Sequence, residues 1–450
     1  MSGLVDPRGN ATGTGSRAAL EASENALWRI LSFYGVPLDD LDVAIAADPS
    51  WLLPRVMKAG FLLNLTEPGL VAEAGSLLDA AEPLAAGAKD RERGHLAALR
   101  QVERGDWQGA SRAWGELLES GPCDMLALQW ALLFDFYRGD AEALRERVAA
   151  VLPAWSRDDP LYPYVLGHQA FGLEESGRYG EAEMVGRHAL AAAPRGPWAI
   201  HAVAHVMEMQ GRPAEGGIWM AAWRPFWSQG NGFAGHLGWH EALFALESLD
   251  HAKALEVFDL YLHAEANEIT LQRVDAASLL WRLQLLGVDV GERWQRLLSG
   301  WALDESVAAG SSAFNDVHAL LALLGAGERD AAARWTSAAL ANAERGGPWN
   351  RAVARELAAP LMYGLSAFAD GRFADAVRLL GPLRGPRGAR LGGSHAQRDV
   401  IDQTLLAAAA NGGDAAAGRA LLDERGRSRR STPLSGWWAE RLGRRDDATR

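Results

Sequence analysis

The chain of 450 residues contains very little cysteine and very little lysine. Cys123 is its single cysteine, so no internal disulfide bond can form, which fits a reducing compartment. Only three of the 45 basic residues are lysines (Lys58, Lys89 and Lys253), and the others are arginines. Together with abundant alanine and glycine, this usage is typical of a GC-rich bacterial genome.

Long hydrophobic runs are absent as well. No apolar stretch reaches the roughly 18–20 residues needed to cross a bilayer, and the first twenty residues lack the apolar core of a signal peptide. The net charge of −12 argues against a general nucleic-acid binder, because phosphate contacts need a basic face. We therefore expect a cytoplasmic protein that partners neither a membrane nor a nucleic acid.

Strand signatures are missing too, and the pattern that remains is helical. From about Glu21 onward, apolar residues recur at intervals of three and four, as in amphipathic helices. Arg104-Gly105-Asp106 recurs as Arg138-Gly139-Asp140, and Gly177-Arg178 recurs as Gly211-Arg212, both at an offset of 34 residues. This offset is the tetratricopeptide period. The sequence therefore predicts an all-α fold of tetratricopeptide-like helical hairpins that form a single curled superhelix.

The domain boundaries follow from composition. Residues 1–20 are rich in Gly, Ser, Thr and Asn, and we expect them to be flexible. Residues 21–445 form the predicted repeat domain. Trp437-Trp438 lies in the Arg-rich tail and favours a last helix that caps the array.

Histidines recur at helical spacing in the middle of the chain. His201 and His205 are four residues apart, and Glu208 follows on the same helical stripe. His236 and His240 are also four apart, and they lie 35 residues after the first pair. Because 35 is close to one repeat, both pairs are expected at equivalent positions on successive first helices, facing the concave side.

Other polar residues extend this ladder in both directions along the chain. They are His168, Asp275, Asn315, Asp316, His318, His395, Gln397, Arg398 and Asp399, and Arg282 lies on the same helix face as Asp275. Later first helices of a curled array can face earlier ones, so these side chains are expected to share one interior chamber.

Three interpretations of the ladder stay open. The first is a set of buried polar contacts that only hold the helices in register. The second is a pocket for a small-molecule or peptide-like ligand, where histidines next to carboxylates perform acid–base chemistry. The third is a divalent metal site, because two histidines four apart on a helix are a known ligand spacing.

The ligand pocket and the metal site each assign roles to particular residues. Acid–base catalysis is predicted for His201, His205, His236, His240, Asp275, Asp316 and His318. Ligand binding is predicted for His168, Glu208, Trp239, Arg282, Asn315, His395, Arg398 and Asp399. The metal ligands would be His201, His205, His236 and His240.

Four stretches of the sequence resemble a known family. They are His201-Ala-Val-Ala-His205-Val-Met-Glu208-Met, Gly235-His236-Leu-Gly-Trp239-His240-Glu-Ala-Leu, Asp275-Ala-Ala-Ser-Leu-Leu-Trp-Arg282-Leu and Phe314-Asn315-Asp316-Val-His318. Together they resemble tetratricopeptide repeat protein 38 and its bacterial relatives, over roughly residues 25–445. The resemblance implies a closed or nearly closed helical-repeat body, and it implies no particular reaction.

A function of another class is the alternative. Many tetratricopeptide arrays are non-catalytic scaffolds that hold a peptide segment in an open groove lined by Asn, Lys and Arg. The groove predicted here is rich in His and Asp and almost free of Lys, which argues against a scaffold. The sequence leaves homo-oligomerisation open.

Overall fold

The computed structural model describes residues 3–230, 232–263, 269–301, 303–304 and 308–443. Across these ranges the regular structure is helical, and an isolated antiparallel bridge joins Val5 and Ala11. The prediction of an all-α fold is confirmed. None of the helices in these ranges combines the length and the apolar character that a transmembrane span requires.

The chain divides into two compact units. Unit 1 comprises Met1–Val203, Gln229–Phe233 and Gly347–Trp349, and unit 2 comprises Ala204–Ser228, Ala234–Gly346 and Asn350–Arg450. The two units are described separately below.

Unit 1 is built from ten helices and the first part of an eleventh. They are α1 (Arg17–Ser32), α2 (Pro37–Ala47), α3 (Leu52–Asn64), α4 (Pro68–Ala81), α5 (Asp90–Glu103), α6 (Trp107–Ser120), α7 (Met125–Tyr137), α8 (Ala141–Val151), α9 (Tyr162–Glu175), α10 (Tyr179–Ala192) and α11 (Pro197–Met209), whose second half belongs to unit 2. Consecutive helices pack on each other from α1 through to α10.

Unit 2 continues the same pattern. Its helices are α12 (Pro213–Trp227), α13 (Ala234–Glu247), α14 (His251–Val257), α15 (Thr270–Leu285), α16 (Arg293–Gly300), α17 (Ala313–Gly325), α18 (Arg329–Ala343), α19 (Pro348–Val353), α20 (Ala359–Ala369), α21 (Phe373–Leu380), α22 (Gly385–Ala389), α23 (His395–Gly412), α24 (Ala415–Ser428) and α25 (Pro433–Gly443). Short π-helical turns over Phe258–Leu262 and Ala354–Ala358 extend α14 and precede α20.

Several hairpins share one turn geometry. The first helix ends at a residue in the left-handed region, such as Gly105 at φ 74°, and the next residue, Asp106, caps the second helix by accepting from a backbone N–H. Glycine suits this position because it has no Cβ to clash. Leu249 takes the same position at φ 60°, ahead of the capping Asp250. These turns produce the helical-hairpin architecture that the 34-residue offset predicts.

The N-terminal segment, which the composition predicts to be flexible, makes defined contacts in unit 1. The backbone N–H of Gly13 donates to a buried carboxylate oxygen of Glu92 at 2.7 Å, and Trp51 Nε1 donates to the same oxygen at 2.6 Å. Ser16 caps α1 by accepting from the N–H of Ala19, so this helix begins at Arg17. Helical structure therefore begins before Glu21, where the sequence pattern places it. The cap stabilises this start because it gives the backbone N–H of Ala19 an acceptor.

The first helices of successive hairpins pack around one another inside unit 2. Helix α15 contacts α13 and α17, α17 contacts α20, and α20 contacts α23. Helix α23 then packs back on α15, so that four helices form a closed ring of contacts. Helices α13, α15 and α23 are buried along most of their length, and Gln397 of α23 donates to Asp275 of α15. The final helix, α25, packs on α13, α23 and α24.

Candidate metal centre in the second unit

Three histidines converge in the interior of unit 2. His205 lies on α11, and His236 and His240 lie one turn apart on α13. The spacing of four residues places His236 and His240 on the same face of their helix. His205 and His240 are fully buried, and the side chain of His236 is 15% exposed.

The three imidazole rings lie close enough to share one ligand. Ring centroids are 4.4 Å apart for His205 and His240, and 4.9 Å apart for His236 and His240, whose rings are perpendicular. Each ring offers one nitrogen such that the three nitrogens lie within 4.8 Å of one another. Trp239 stacks on His236 and closes one side of the cluster with apolar surface.

Carboxylates contact the opposite edge of two of these rings. Nδ1 of His236 is 2.6 Å from Oδ2 of Asp275, and Nδ1 of His240 is 3.1 Å from Oε2 of Glu208. A carboxylate accepts the hydrogen of Nδ1 and so fixes both the tautomer and the ring orientation. When Nδ1 of each ring donates to its carboxylate, Nε2 is the nitrogen that could bind a metal ion.

Asp275 is itself held in place from a distant part of the chain. Nε2 of Gln397 donates to Oδ1 of Asp275 at 3.2 Å. The amide oxygen of Gln397 accepts from the backbone N–H of Ser394, which completes a capping box at the start of α23. The N-terminal cap of α23 therefore positions the carboxylate that orients His236.

Burial disfavours the charged form of two of these histidines, His205 and His240. Desolvation, followed by the neighbouring His236, lowers the pKa of His205 well below its ordinary value. The pKa of His240 is likewise well below its ordinary value, first because of desolvation and then because of His205. Desolvation raises the pKa of Glu208 to about 8. Neutral imidazole is the protonation state that binds metal ions.

Arg282 lies beside the cluster on α15 and is 5% exposed. Its guanidinium donates to the carbonyl and hydroxyl oxygens of Ser278, to the carbonyl of Ala396 at 2.8 Å and to that of Gln397 at 3.4 Å. The guanidinium also lies 5.6 Å from the ring centroid of Trp239. These neutral oxygens fix the cation in one orientation.

A small pocket adjoins the cluster at Glu208 and Arg282. Its other lining residues are Leu243, Leu246, Glu247, Leu286, Asp399, Gln403 and Leu434. The enclosed space has room for little more than a water molecule or two. A larger ligand would therefore have to displace the side chains at this pocket's rim.

Two predicted site residues lie in unit 1. His201 is on α11, one turn before His205, and its ring packs against Phe171, Trp198 and Phe233. His168, on α9, lies 5.3 Å from Trp198 between ring centroids, and desolvation lowers its pKa to about 3. Both rings are surrounded by aromatic side chains of their own unit.

The residues predicted on α17 have local partners. The carboxylate of Asp316 accepts from the backbone N–H of Gly310 at 3.0 Å, and desolvation raises the pKa of Asp316 to about 7. His318 donates from Nδ1 to the carbonyl of Phe314 at 2.8 Å, and desolvation lowers its pKa to about 4. The backbone N–H of Asn315 donates to the capping hydroxyl at the start of α17. Asp316 thus anchors the loop that leads into α17.

The residues predicted near the start of α23 occupy several positions. His395 is half-buried and is among the charges that lower the pKa of His205, after desolvation and His236. Arg398 donates to the carbonyl of Gly393. Burial opposes ionisation of Asp399, yet Arg425 pairs with it and holds its pKa below the ordinary range.

Several residues of this region were not among the sequence-based predictions. Glu247 lies seven residues after His240 on the same face of α13, so helical spacing could have indicated it. Glu247 accepts from the hydroxyl of Thr432 at 2.5 Å and pairs with Arg429 at 2.6 Å. No sequence signal links Arg425 or Arg429 to the ladder, because their contacts depend on how α24 and α25 pack.

Comparisons with known proteins add little to this description. No family model matches the chain. Among solved structures, the chain is similar to the crystal structure of the yeast Tom70, with 12% sequence identity and a TM-score of 0.34, over 96% of this chain and 87% of that chain. The helical-hairpin architecture therefore rests on the helix pairs and turns described above.

Proposed function

We propose that unit 2 binds one divalent metal ion through His205, His236 and His240, and that this ion acts on a small-molecule or peptide-like ligand. The observation that carries the proposal is the pair of carboxylates behind the rings. Two of the three histidines present Nδ1 to Asp275 or Glu208, as histidines that bind metal ions almost always do. Buried polar contacts that only hold helices in register do not require three rings to converge.

The distances fit an ion after a small closure of the rings. Tetrahedral zinc with metal–nitrogen distances of about 2.0–2.1 Å places its ligand nitrogens about 3.3–3.4 Å apart. The three nitrogens here lie within 4.8 Å of one another, so each ring needs to shift by about an ångström or less. Imidazole ligands suit zinc, and also iron, nickel and copper.

Histidine ligands occur both in structural zinc sites and in catalytic zinc sites, which keep a position for water or substrate. When bound, the ion would supply Lewis acidity toward a ligand group. The contribution of the chain would be to hold His236 through Asp275, to hold His240 through Glu208, and to exclude bulk water with Trp239.

Metal content tests the proposal directly. Purified protein dialysed against zinc should retain one ion per chain, measured by elemental analysis. His236→Gln and His240→Gln should each reduce retention strongly, because glutamine keeps most of the side-chain volume but is a poor zinc ligand. His188→Gln is the matched control, since His188 is exposed on α10. Retention of zinc at the same level in all three variants would refute the site.

The family, the localisation and the alternative function are also proposals. Assignment to the tetratricopeptide repeat protein 38 family is supported by the four motif stretches, two of which contain the proposed metal ligands. A cytoplasmic, bacterial protein agrees with the cysteine and arginine usage. If no metal ion is retained, the non-catalytic peptide-binding scaffold becomes the better interpretation.

A further inference from the structure

The first described residues of unit 1 form a small hairpin that closes on itself. The backbone N–H of Leu4 donates to the carbonyl of Thr14 at 2.8 Å, and the N–H of Thr12 donates to the carbonyl of Leu4 at 2.9 Å. Residues 4–14, the N-terminal hairpin, are therefore a compact segment. The segment continues into the helices at Ser16, the cap of α1.

The N-terminal hairpin docks on the helices with the opposite polarity to a core element. Its apolar Val5 points to solvent and is 58% exposed. The polar residues at alternate positions are buried or half-buried instead, and they are Asp6, Arg8, Asn10, Thr12 and Thr14. A segment that belongs to a hydrophobic core buries its apolar side chains. The docking of this hairpin therefore depends mainly on individual hydrogen bonds and ion pairs.

Two carboxylates of the helices receive side chains of the hairpin. The guanidinium of Arg8 donates to both carboxylate oxygens of Glu24 on α1, at 2.6 and 2.7 Å. This bidentate pair is directional as well as strong, and the side chain of Arg8 is only 4% exposed. The hydroxyl of Thr14 donates to Asp48, the last residue of the cap of α2, at 2.5 Å.

A third carboxylate receives the backbone between these two side chains. Oε1 of Glu92 accepts from the N–H of Gly13, and it is held in place by Nε1 of Trp51. A Cβ at Gly13 would lie 2.6 Å from Oε2 of Glu92 and 3.2 Å from Cδ1 of Trp51. Because Glu92 is buried and fixed by its partners, only glycine fits here. A Cβ at Gly15 would meet no atom of the described residues within 4 Å.

We propose that the surface beneath the N-terminal hairpin is a peptide-binding site, which the hairpin occupies as a detachable ligand from the same chain. Its other occupant is a segment of a partner protein with an arginine for Glu24. Five and six residues further on, that segment carries a glycine for Glu92 and a hydroxyl residue for Asp48. In peptide recognition, main-chain hydrogen bonds contribute affinity and alternate side chains contribute specificity. All of these residues belong to unit 1, so the inference does not depend on the metal centre.

Full-length Gly13→Ala tests the proposal, because the added methyl group collides with Glu92 and displaces the hairpin while the site itself is unchanged. Gly15→Ala is the matched control. A fluorescein-labelled peptide of residues 3–16 should bind one-to-one to Gly13→Ala, measured by fluorescence polarisation. It should bind at least about tenfold more weakly to Gly15→Ala and to the wild type, whose tethered hairpin competes at an effective concentration on the order of millimolar. Replacing Arg8 by Met in the peptide should weaken binding to Gly13→Ala at least about tenfold, because the bidentate pair with Glu24 is lost.

Hydrogen exchange of the wild-type chain keeps the test informative if Gly13→Ala does not fold. The amides of Leu4 and Thr12 should exchange at least about tenfold faster than that of Ile30 in α1, because the hairpin opens without unfolding the helix. Equal exchange would mean that hairpin and helix open together, and it would overturn the inference. So would a folded Gly13→Ala chain that does not bind the peptide, or one that binds the Arg8→Met peptide equally well.

Discussion

Asp275→Asn is the sharpest perturbation of the proposed metal centre. The carboxylate of Asp275 accepts from two donors, Nδ1 of His236 at 2.6 Å and Nε2 of Gln397 at 3.2 Å. Asparagine has the same shape but only one acceptor oxygen, so its amide NH₂ must face one of these donors. Gln397 cannot relieve the conflict by turning its amide, because its oxygen accepts from Ser394 at 3.0 Å.

The magnitudes follow from this geometry. One buried donor without an acceptor should lower the free energy of unfolding by about 1–3 kcal/mol. Loss of the group that orients a metal ligand typically reduces metal affinity by about 10–100-fold, which is about 1.4–2.7 kcal/mol. We expect Asp275→Asn to lower both the free energy of unfolding and the affinity for zinc. The loss of zinc affinity is the effect that the control variant described next should not show.

Zinc competition with a chromophoric chelator measures the affinity, and urea unfolding measures the stability. Asp259→Asn is the control, because Asp259 forms an exposed ion pair with Arg293 whose contribution should be below about 1 kcal/mol. An Asp275→Asn protein that binds zinc as tightly as wild type would refute the role of this carboxylate.

Other predictions concern stability. Folding raises the pKa of Asp316 from 3.8 to about 7, so the native state binds the proton more tightly and stability falls as pH rises between these values. The stability of Asp316→Asn relative to the wild type should therefore increase from pH 4 to pH 8, by at most about 4 kcal/mol. A difference in unfolding free energy that does not change with pH, measured by urea unfolding, would contradict this. Gly177→Ala should destabilise by about 1–2 kcal/mol, because φ is +74° there although the space is open. Gly180→Ala, three residues on in α10 and equally open, should stabilise by about 0.5–1 kcal/mol, and thermal shifts of the same sign in both variants would refute the backbone explanation.

The local sequence pattern was sufficient to predict the helical-hairpin architecture. Apolar spacing and the recurring Gly turns predict helical hairpins, because each hairpin is specified by short-range rules of periodicity and capping. Leu249 shows the limit of motif matching, since a leucine there, like Thr66 after α3, occupies the left-handed position that glycine takes in other hairpins. The helix there still ends in the same way, because Asp250 provides the cap.

The sequence alone determined which side chains share a helix face: His236 with His240, and Asp275 with Arg282. That information is local, because 3.6 residues per turn relate these positions whatever the helices pack against. Only the tertiary structure decided which faces meet. Gln397 reaches Asp275 across 122 residues because α23 packs on α15, and no periodicity encodes that contact. The same packing leaves Arg282 among neutral oxygens, since burial and partner choice depend on all the helices at once.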